Sequence, residues 1–516
     1  MNAETIFAAL TALDDALVLE AERHTFQKKR LWPRVAAAAA ALALVVTAAG
    51  VGTGRIRLPG LGSSGHNANG DLYQSYEGPV FPLTAVGDAS GVTTERTTTF
   101  DFSPYEQTEK SYVNGKGEIV TYHAYRAEAI VTDAYLLTNG TDVDRTLTLL
   151  YPAALRLYDG EAYLPALTVD GAATAAEVLA GPYAGGFTAA WGSREAGTAN
   201  LSEPASWETY RDLLADGSYQ ASALAALPDL SQPVVVYRID DYILPADAPE
   251  AASLQFRAVV DDARVRTFSY GANSFHRDAE ERLGYGNGAL TGAYARPFYV
   301  FVLGGDLAGY ALQGYANSGA HAGTECEIGA TVTRSETTLG AALGMALDDH
   351  QARRAALDED DASILSILPR ERAVACLAEH LRAYGVLSDA PMERYFAGML
   401  EDMMECFWVR RVIYRRLTVT IPARGSVTVA AQMLRHPSAN YPGGGRDAST
   451  QGYDLVTTLG STLTFTAQRA ALVHAEEVAL LENDFGFDRE GGVAVVTLDP
   501  AREHYGLRVR KNAAEP

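Results

Sequence analysis

Ten histidines are scattered along the chain, and two of them stand beside carboxylates. His276 is followed by Asp278 and Glu280, and His504 follows Glu503. An imidazole oriented by a carboxylate serves as a general base or a metal ligand. Isolated groups of this kind are far more often surface ion pairs, so no catalytic residue, cofactor-binding residue or metal ligand is assigned. The three cysteines, Cys326, Cys376 and Cys406, contain no C-x-x-C pair for zinc or redox work. Their odd count and low density also exclude a disulfide framework. Cys376 and Cys406 lie in helix-like sequence, where a disulfide and two buried free thiols are the alternatives; buried thiols are the simpler expectation.

Other motifs fail on order or composition. Ala248-Pro249-Glu250, His276-Arg277-Asp278 and Asp484-Phe485-Gly486 imitate kinase signatures. A kinase places A-P-E last and an Asn where Leu283 stands, so the three are chance. The glycine-rich stretch 284–292 (GYGNGALTG) fits neither a dinucleotide fingerprint nor a P-loop and reads as a mobile loop. Asn139-Gly140-Thr141 and Asn200-Leu201-Ser202 match the glycosylation acceptor pattern. Phe407-Trp408 with Arg410, Arg411, Arg415 and Arg416 forms one basic–aromatic cluster, expected to end a helix and pair with acidic surface. The 27 Tyr and 16 Phe suit half-buried strands better than sugar stacking.

The elements that would carry these residues are mostly strands. The sequence 127–138 leads through the polar loop NGTDVD into 145–152, a pattern of two strands joined by a short turn. Residues 161–171 and 233–244 continue the β pattern, with a helical patch at 206–215. Residues 337–412 change to helical spacing, and MERYFAGMLEDMMECFWVRRVIYRR reads as helix throughout. Strands return at 415–434, with Pro422–Gly425 marking a turn, and at 461–473, 491–499 and 504–510. The expected fold class is mainly β with α (α+β): an N-terminal transmembrane helix, then β-sandwich-like extracytoplasmic domains with a helical insertion.

The net charge of −22 opposes nucleic-acid binding and favours basic or cationic partners. Near the N-terminus, residues 35–54 (VAAAAAALALVVTAAGVGTG) contain no charge. Twenty helical residues at about 1.5 Å each span roughly 30 Å of hydrocarbon. Lys28, Lys29, Arg30 and Arg34, with Trp32 at the interface level, precede the run, while Arg55 and Arg57 follow it. The positive-inside rule then puts the N-terminus in the cytoplasm and the bulk outside. The competing readings are a cleaved signal, disfavoured by the 34 residues ahead of the run, and a buried core helix. Before the basic cluster, Ile6, Leu10, Leu13 and Leu17 share one helical face, which Phe7 widens. A lone helix of this length is marginal unless that face finds a partner. The domain division expected is a cytoplasmic tail at 1–34, a transmembrane helix at 35–54 and a flexible linker at 55–70. Two β-rich extracytoplasmic domains follow at 71–270 and 271–516, the second with the helical insertion at about 337–412.

This layout is carried by Leu13-Asp14-Asp15-Ala16-Leu17-Val18-Leu19-Glu20-Ala21, then Lys28-Lys29-Arg30 and Trp32, then the Ala/Leu/Val run. It resembles Gram-positive bacterial single-pass proteins of anti-sigma-factor-like shape. The resemblance covers residues 4–50 and implies an inner helix for a cytoplasmic sigma factor and an outer sensor. The zinc-binding H-x-x-x-C-x-x-C of one such class is absent, since the tail has His24 and no cysteine. The function expected is a single-pass membrane protein whose outer region binds or senses a cell-envelope ligand. The alternatives are an anchored cell-surface hydrolase and a structural adhesin.

Overall fold

The structure is a computed structural model. It describes residues 65–512 apart from 67–71, 74, 106, 114–118, 126–127, 184–203, 205, 250, 262, 278–281, 289, 291–295, 318–323, 357–362, 388–397 and 441–449. The partner-facing residues Ile6, Phe7, Leu10, Leu13 and Leu17 lie outside the described residues. So do the topology residues Lys28, Lys29, Arg30, Trp32 and Arg34 and the apolar run 35–54. Among the described residues no helix is long and apolar enough to cross a membrane. Within the expected linker, Gly65–His66 pairs with Leu72–Tyr73.

The chain is mainly β, with 47% strand against 19% helix in several sheets, so the α+β, β-rich class holds. Residues Arg57–Pro516 form one compact unit. Its largest sheet has seven strands: Ala172–Ala173, Ala166–Val169, Ser426–Arg435, Ala129–Asn139, Val92–Asp101, Thr464–Val473 and Val495–Thr497. All neighbours run antiparallel except Val92–Asp101 and Thr464–Val473, which are parallel. Val92–Asp101 alternates strictly between buried and less buried positions, the period of a half-buried strand. Across a shared core lie two smaller sheets. One has four strands, Glu177–Tyr183, Arg411–Ile421, Arg145–Leu155 and Thr84–Val86; the other has five, including Thr450–Val456 and His504–Lys511. Val131, Leu137 and Val429 of the large sheet meet Leu149 and Val419 of the first and Leu455 and Leu507 of the second.

The strands at 129–139 and 145–155 do not form a hairpin. The first belongs to the seven-stranded sheet and the second to the opposing sheet. The chain makes the same crossing at 422–425, between Arg411–Ile421 and Ser426–Arg435. The two crossings lie side by side. Asn139 Nδ2 donates to the carbonyls of Val143 (2.8 Å) and Pro422 (3.0 Å), and its Oδ1 accepts from the Thr141 amide and hydroxyl. Arg424 reaches Asp142 at 2.8 Å. Asn139 is 1% exposed, so the acceptor pattern there serves a buried structural amide and offers no attachment point.

Between Glu177–Tyr183 and Arg411–Ile421 the chain builds a second pair of sheets. Arg266–Tyr270, Phe298–Leu303, Pro233–Ile243 and Gly329–Thr338 face Ser274–Arg277, Arg282–Asn287, Ser253–Val259 and Tyr310–Tyr315. The boundary expected at residue 270 falls inside this pair, between Arg266–Tyr270 and Ser274–Arg277. The run Val234-Val235-Val236-Tyr237 is buried on both sides. Val235 and Tyr237 enter the core between the two sheets, while Val234 and Val236 meet helices. That helical layer comprises Leu339–Ala356, Ile364–Ile367, Arg370–Ala383 and Leu400–Met404. Leu339, Ala342, Leu343, Ala346 and Leu347 form the buried stripe of the first helix. Full burial of each Leu stabilises by about 1.5–3 kcal/mol. The sequence VRRVIYRR, expected as helix, is strand from Arg411 onward, because Val412 and Ile413 fill a sheet position between Glu177–Tyr183 and Arg145–Leu155.

The glycine-rich stretch is strand through Asn287. Arg282–Asn287 pairs on both sides, with Ser253–Val259 and Ser274–Arg277. A Cβ at Gly286 would lie 2.4 Å from the Leu254 carbonyl oxygen, so only glycine fits that close approach.

Candidate functional site

Four long strands of the seven-stranded sheet and the four-stranded sheet across its core begin or end together, and their terminal residues are charged. Glu128 precedes Ala129–Asn139, and Arg410 precedes Arg411–Ile421. Arg156 and Asp159 follow Arg145–Leu155, and Arg435 and His436 finish Ser426–Arg435. Tyr163 ends the short 3-10 turn Glu161–Tyr163, and Glu77 follows Ser75–Tyr76. Glu77, Ala154, Leu155, Asp159, Tyr163, Leu434, Arg435 and His436 line a small cleft, with room for about one water-sized group, that opens to solvent.

The His436 ring stacks on Tyr163 with centroids 4.1 Å apart and planes 17° from parallel. Tyr163 is held by its hydroxyl, which donates to Glu128 Oε1 at 2.8 Å. His436 Nδ1 stands 3.9 Å from Glu128, and Nε2 stands 3.9 Å from Asp159. Both separations exceed a hydrogen bond. Asp159 is fixed by the turn it closes, accepting from the Arg156 amide at 2.8 Å.

Deeper in, Glu77 forms an ion pair with Arg410, whose side chain is 2% exposed. Burial alone would raise the Glu77 carboxyl; the charges of Arg410, Arg156 and His436 overcome it and hold the group below the usual carboxylate value. Arg435 donates to the carbonyls of Gly78, Pro79 and Ala154 and so closes the floor. The inner charges are therefore consumed by structure, and of the outer groups the His436 side chain is 33% exposed and that of Asp159 9%. Among the described residues no group of three or more His, Cys, Asp or Glu side chains stands where it could hold a metal ion.

The residues singled out from sequence lie elsewhere. His276 is in the edge strand Ser274–Arg277, and Asp278 and Glu280 fall outside the described residues. His504 pairs with Asp454 (3.3 Å) and stacks on Trp207 (4.7 Å between centroids), while Glu503 pairs with Arg211 instead. The basic–aromatic cluster does end a helix and does pair with acids, but two of its pairs are interior. Arg410 takes Glu77, and Arg411 takes Glu379 at 3.0 Å while each arginine is 2% exposed. Arg416 pairs with Glu177 nearer the surface.

Arg411 also donates to Cys376 Sγ (3.1 Å) and lies over the Tyr183 ring (4.5 Å), and the Tyr183 hydroxyl meets His380 Nε2 at 2.8 Å. Burial pushes the Cys376 and Cys406 thiols up to about 11 and about 12, and pushes His380 down to about 3. Both cysteines are free and buried, as the simpler expectation had it, and they stay protonated at neutral pH.

His436, Tyr163, Asp159 and Glu128 carried no sequence signal because the first three lie 31 to 308 residues from Glu128, by subtraction of their numbers. Their one shared feature is a position at or just beyond the end of an alternating strand, where such residue types are common. Compared with protein-family models, curated proteins and solved structures, the chain matches none of them.

Proposed function

We propose that this chain is a single-pass membrane protein whose large outer region binds a small cationic ligand of the cell envelope. The binding site proposed is the cleft at His436 and Asp159. The observation that carries this reading is the His436 ring, held by the Tyr163 stack with one nitrogen 3.9 Å from each of two carboxylates. An ammonium group entering there finds Asp159 as its charge partner and aromatic rings as its wall. The overall charge of −22 draws such ligands in. Calorimetric titration of the full-length chain in detergent with 1,5-diaminopentane tests it. Saturable binding is expected, weakened at least tenfold by Asp159→Asn, or about 1.4 kcal/mol, and unchanged by Glu482→Gln on a distant strand. A chain that takes up no diamine, or takes it up equally after Asp159→Asn, ends the cationic reading.

The inner half of the proposal places residues 1–34 in the cytoplasm, where the Ile6, Leu10, Leu13 and Leu17 face docks on a partner such as a sigma factor. Co-purification with the full chain, lost on Leu10→Asp with Leu13→Asp, is the expected result. A preparation with no co-purifying partner counts against signalling and leaves a membrane-anchored binding protein.

A further inference from the structure

Open sheet edges expose unpaired amides and carbonyls, and proteins commonly keep such edges short or interrupted. Among the described residues the other edge strands run from two to seven residues. Gly329–Thr338 is different: it is an edge strand of ten residues. It pairs with Pro233–Ile243 on one side only, and no described strand pairs on the other. The irregularity in that pairing lies between Asp240 and Ile243, so Val332–Thr338 stays in a regular ladder. The strand holds no proline and no lysine, and Thr333 through Glu336 are all exposed.

We infer that a second copy of the chain docks on this edge, antiparallel, about a two-fold axis through Ser335, joining two four-stranded sheets into one of eight. The charge pattern selects that register. Centred on Ser335, Arg334 of each copy lies opposite Glu336 of the other, and Thr333 lies opposite Thr337. Centred on Arg334 or on Glu336, like charges would meet, which opposes pairing. Arg334 and Glu336 already share one sheet face, with a 2.8 Å ion pair between them, and their side chains are 43% and 69% exposed. Asp306, in the loop after Phe298–Leu303, holds the Arg334 guanidinium at 2.9 Å. The hydroxyls of Thr331, Thr333, Ser335 and Thr337 line the other face, the residue type that forms cross-strand side-chain pairs.

Charge exchange tests the register directly. Arg334→Glu gives a copy with two acids on the edge and Glu336→Arg gives one with two bases, so neither pairs with itself. The two together restore both opposite-charge contacts. Sedimentation of the full-length chain in density-matched detergent is expected to show a dimer for the parent. Each single variant should lose at least tenfold in dimer affinity with an unchanged circular dichroism spectrum. An equimolar mixture should return to within threefold of the parent. A parent that sediments as a monomer at every concentration overturns the inference. So do single variants that remain dimeric, and so does a mixture of correctly folded variants that stays monomeric.

Discussion

Arg96 and Asp133 form a two-pronged ion pair on adjacent strands of the seven-stranded sheet, with Nε–Oδ1 at 2.8 Å, Nη2–Oδ2 at 2.9 Å and neither side chain exposed. The pair is completed on every side. Thr98, Tyr135 and Tyr151 donate to Asp133, and Arg96 reaches the carbonyls of Val456 (2.6 Å) and Phe81 (3.3 Å). Arg96 thus ties the seven-stranded sheet to the end of Thr450–Val456 across the core. Removing one partner strands a buried charge, which costs about 3–5 kcal/mol. Asp133→Leu and Arg96→Met are each expected to lose that much in denaturant unfolding, and the double variant to recover much of it. A single variant within 1 kcal/mol of the parent, on the scale where about 1 kcal/mol is an ordinary mutation, would show that the pair is not holding the sheets.

Asn139 is expected to matter for the same reason at the sandwich edge. Asn139→Ala removes the donor to Val143 and Pro422 and the acceptor for Thr141. Each group left unpaired and buried costs about 1–3 kcal/mol. Thermal unfolding should move down accordingly, whereas Thr146→Ala, at an exposed hydroxyl pair, should change stability little.

The fold was legible in part from these strands. Alternation located Ala129–Asn139, Arg145–Leu155, Ser426–Arg435 and Thr464–Val473 within a few residues. It did not say that the chain changes sheets at 139–144 and 422–425, because an inward-facing stripe of period two looks the same in a hairpin and in a crossing between layers. The Asn-Gly dipeptide, a strong hairpin signal, here anchors a crossing. The parallel pairing of Val92–Asp101 with Thr464–Val473 had no local trace, since the partners are more than 360 residues apart by their numbers. The cleft residues were illegible for the same reason: strand ends gather them, and no spacing along the chain records that.

Gly286 gives a sharper check on the strand that sequence read as a loop. Gly286→Ala forces a Cβ against the Leu254 carbonyl and should cost about 1–3 kcal/mol through overpacking. Gly309→Ala has nothing within 4 Å and should be tolerated. Equal tolerance of both in urea unfolding would remove Arg282–Asn287 from the sheet.

Two buried groups set opposing pH dependences. Burial raises Glu401 from 4.5 to about 7, against the pull of the Gly271 amide, Arg296 and Arg353. Its folded form holds the proton more tightly than the unfolded chain, so its contribution is present below pH 4.5 and lost as pH rises through about 7. Burial lowers His380 from 6.5 to about 3, so its contribution is present above pH 6.5 and lost as pH falls toward 3. Glu401→Gln should gain about 3 kcal/mol relative to the parent between pH 4 and pH 8, at 1.36 kcal/mol per unit. A flat difference across that range in denaturant titrations would contradict the burial of a protonated carboxyl.

Topology is the claim on which the functional account rests, and impermeant thiol labelling of intact cells measures it most directly. In a Cys326→Ser background, Arg424→Cys, whose parent side chain is 64% exposed, should react from outside, and Thr5→Cys should react only after the membrane is opened. Labelling of Thr5→Cys in intact cells, or protection of Arg424→Cys, would contradict an inner tail and an outer sandwich.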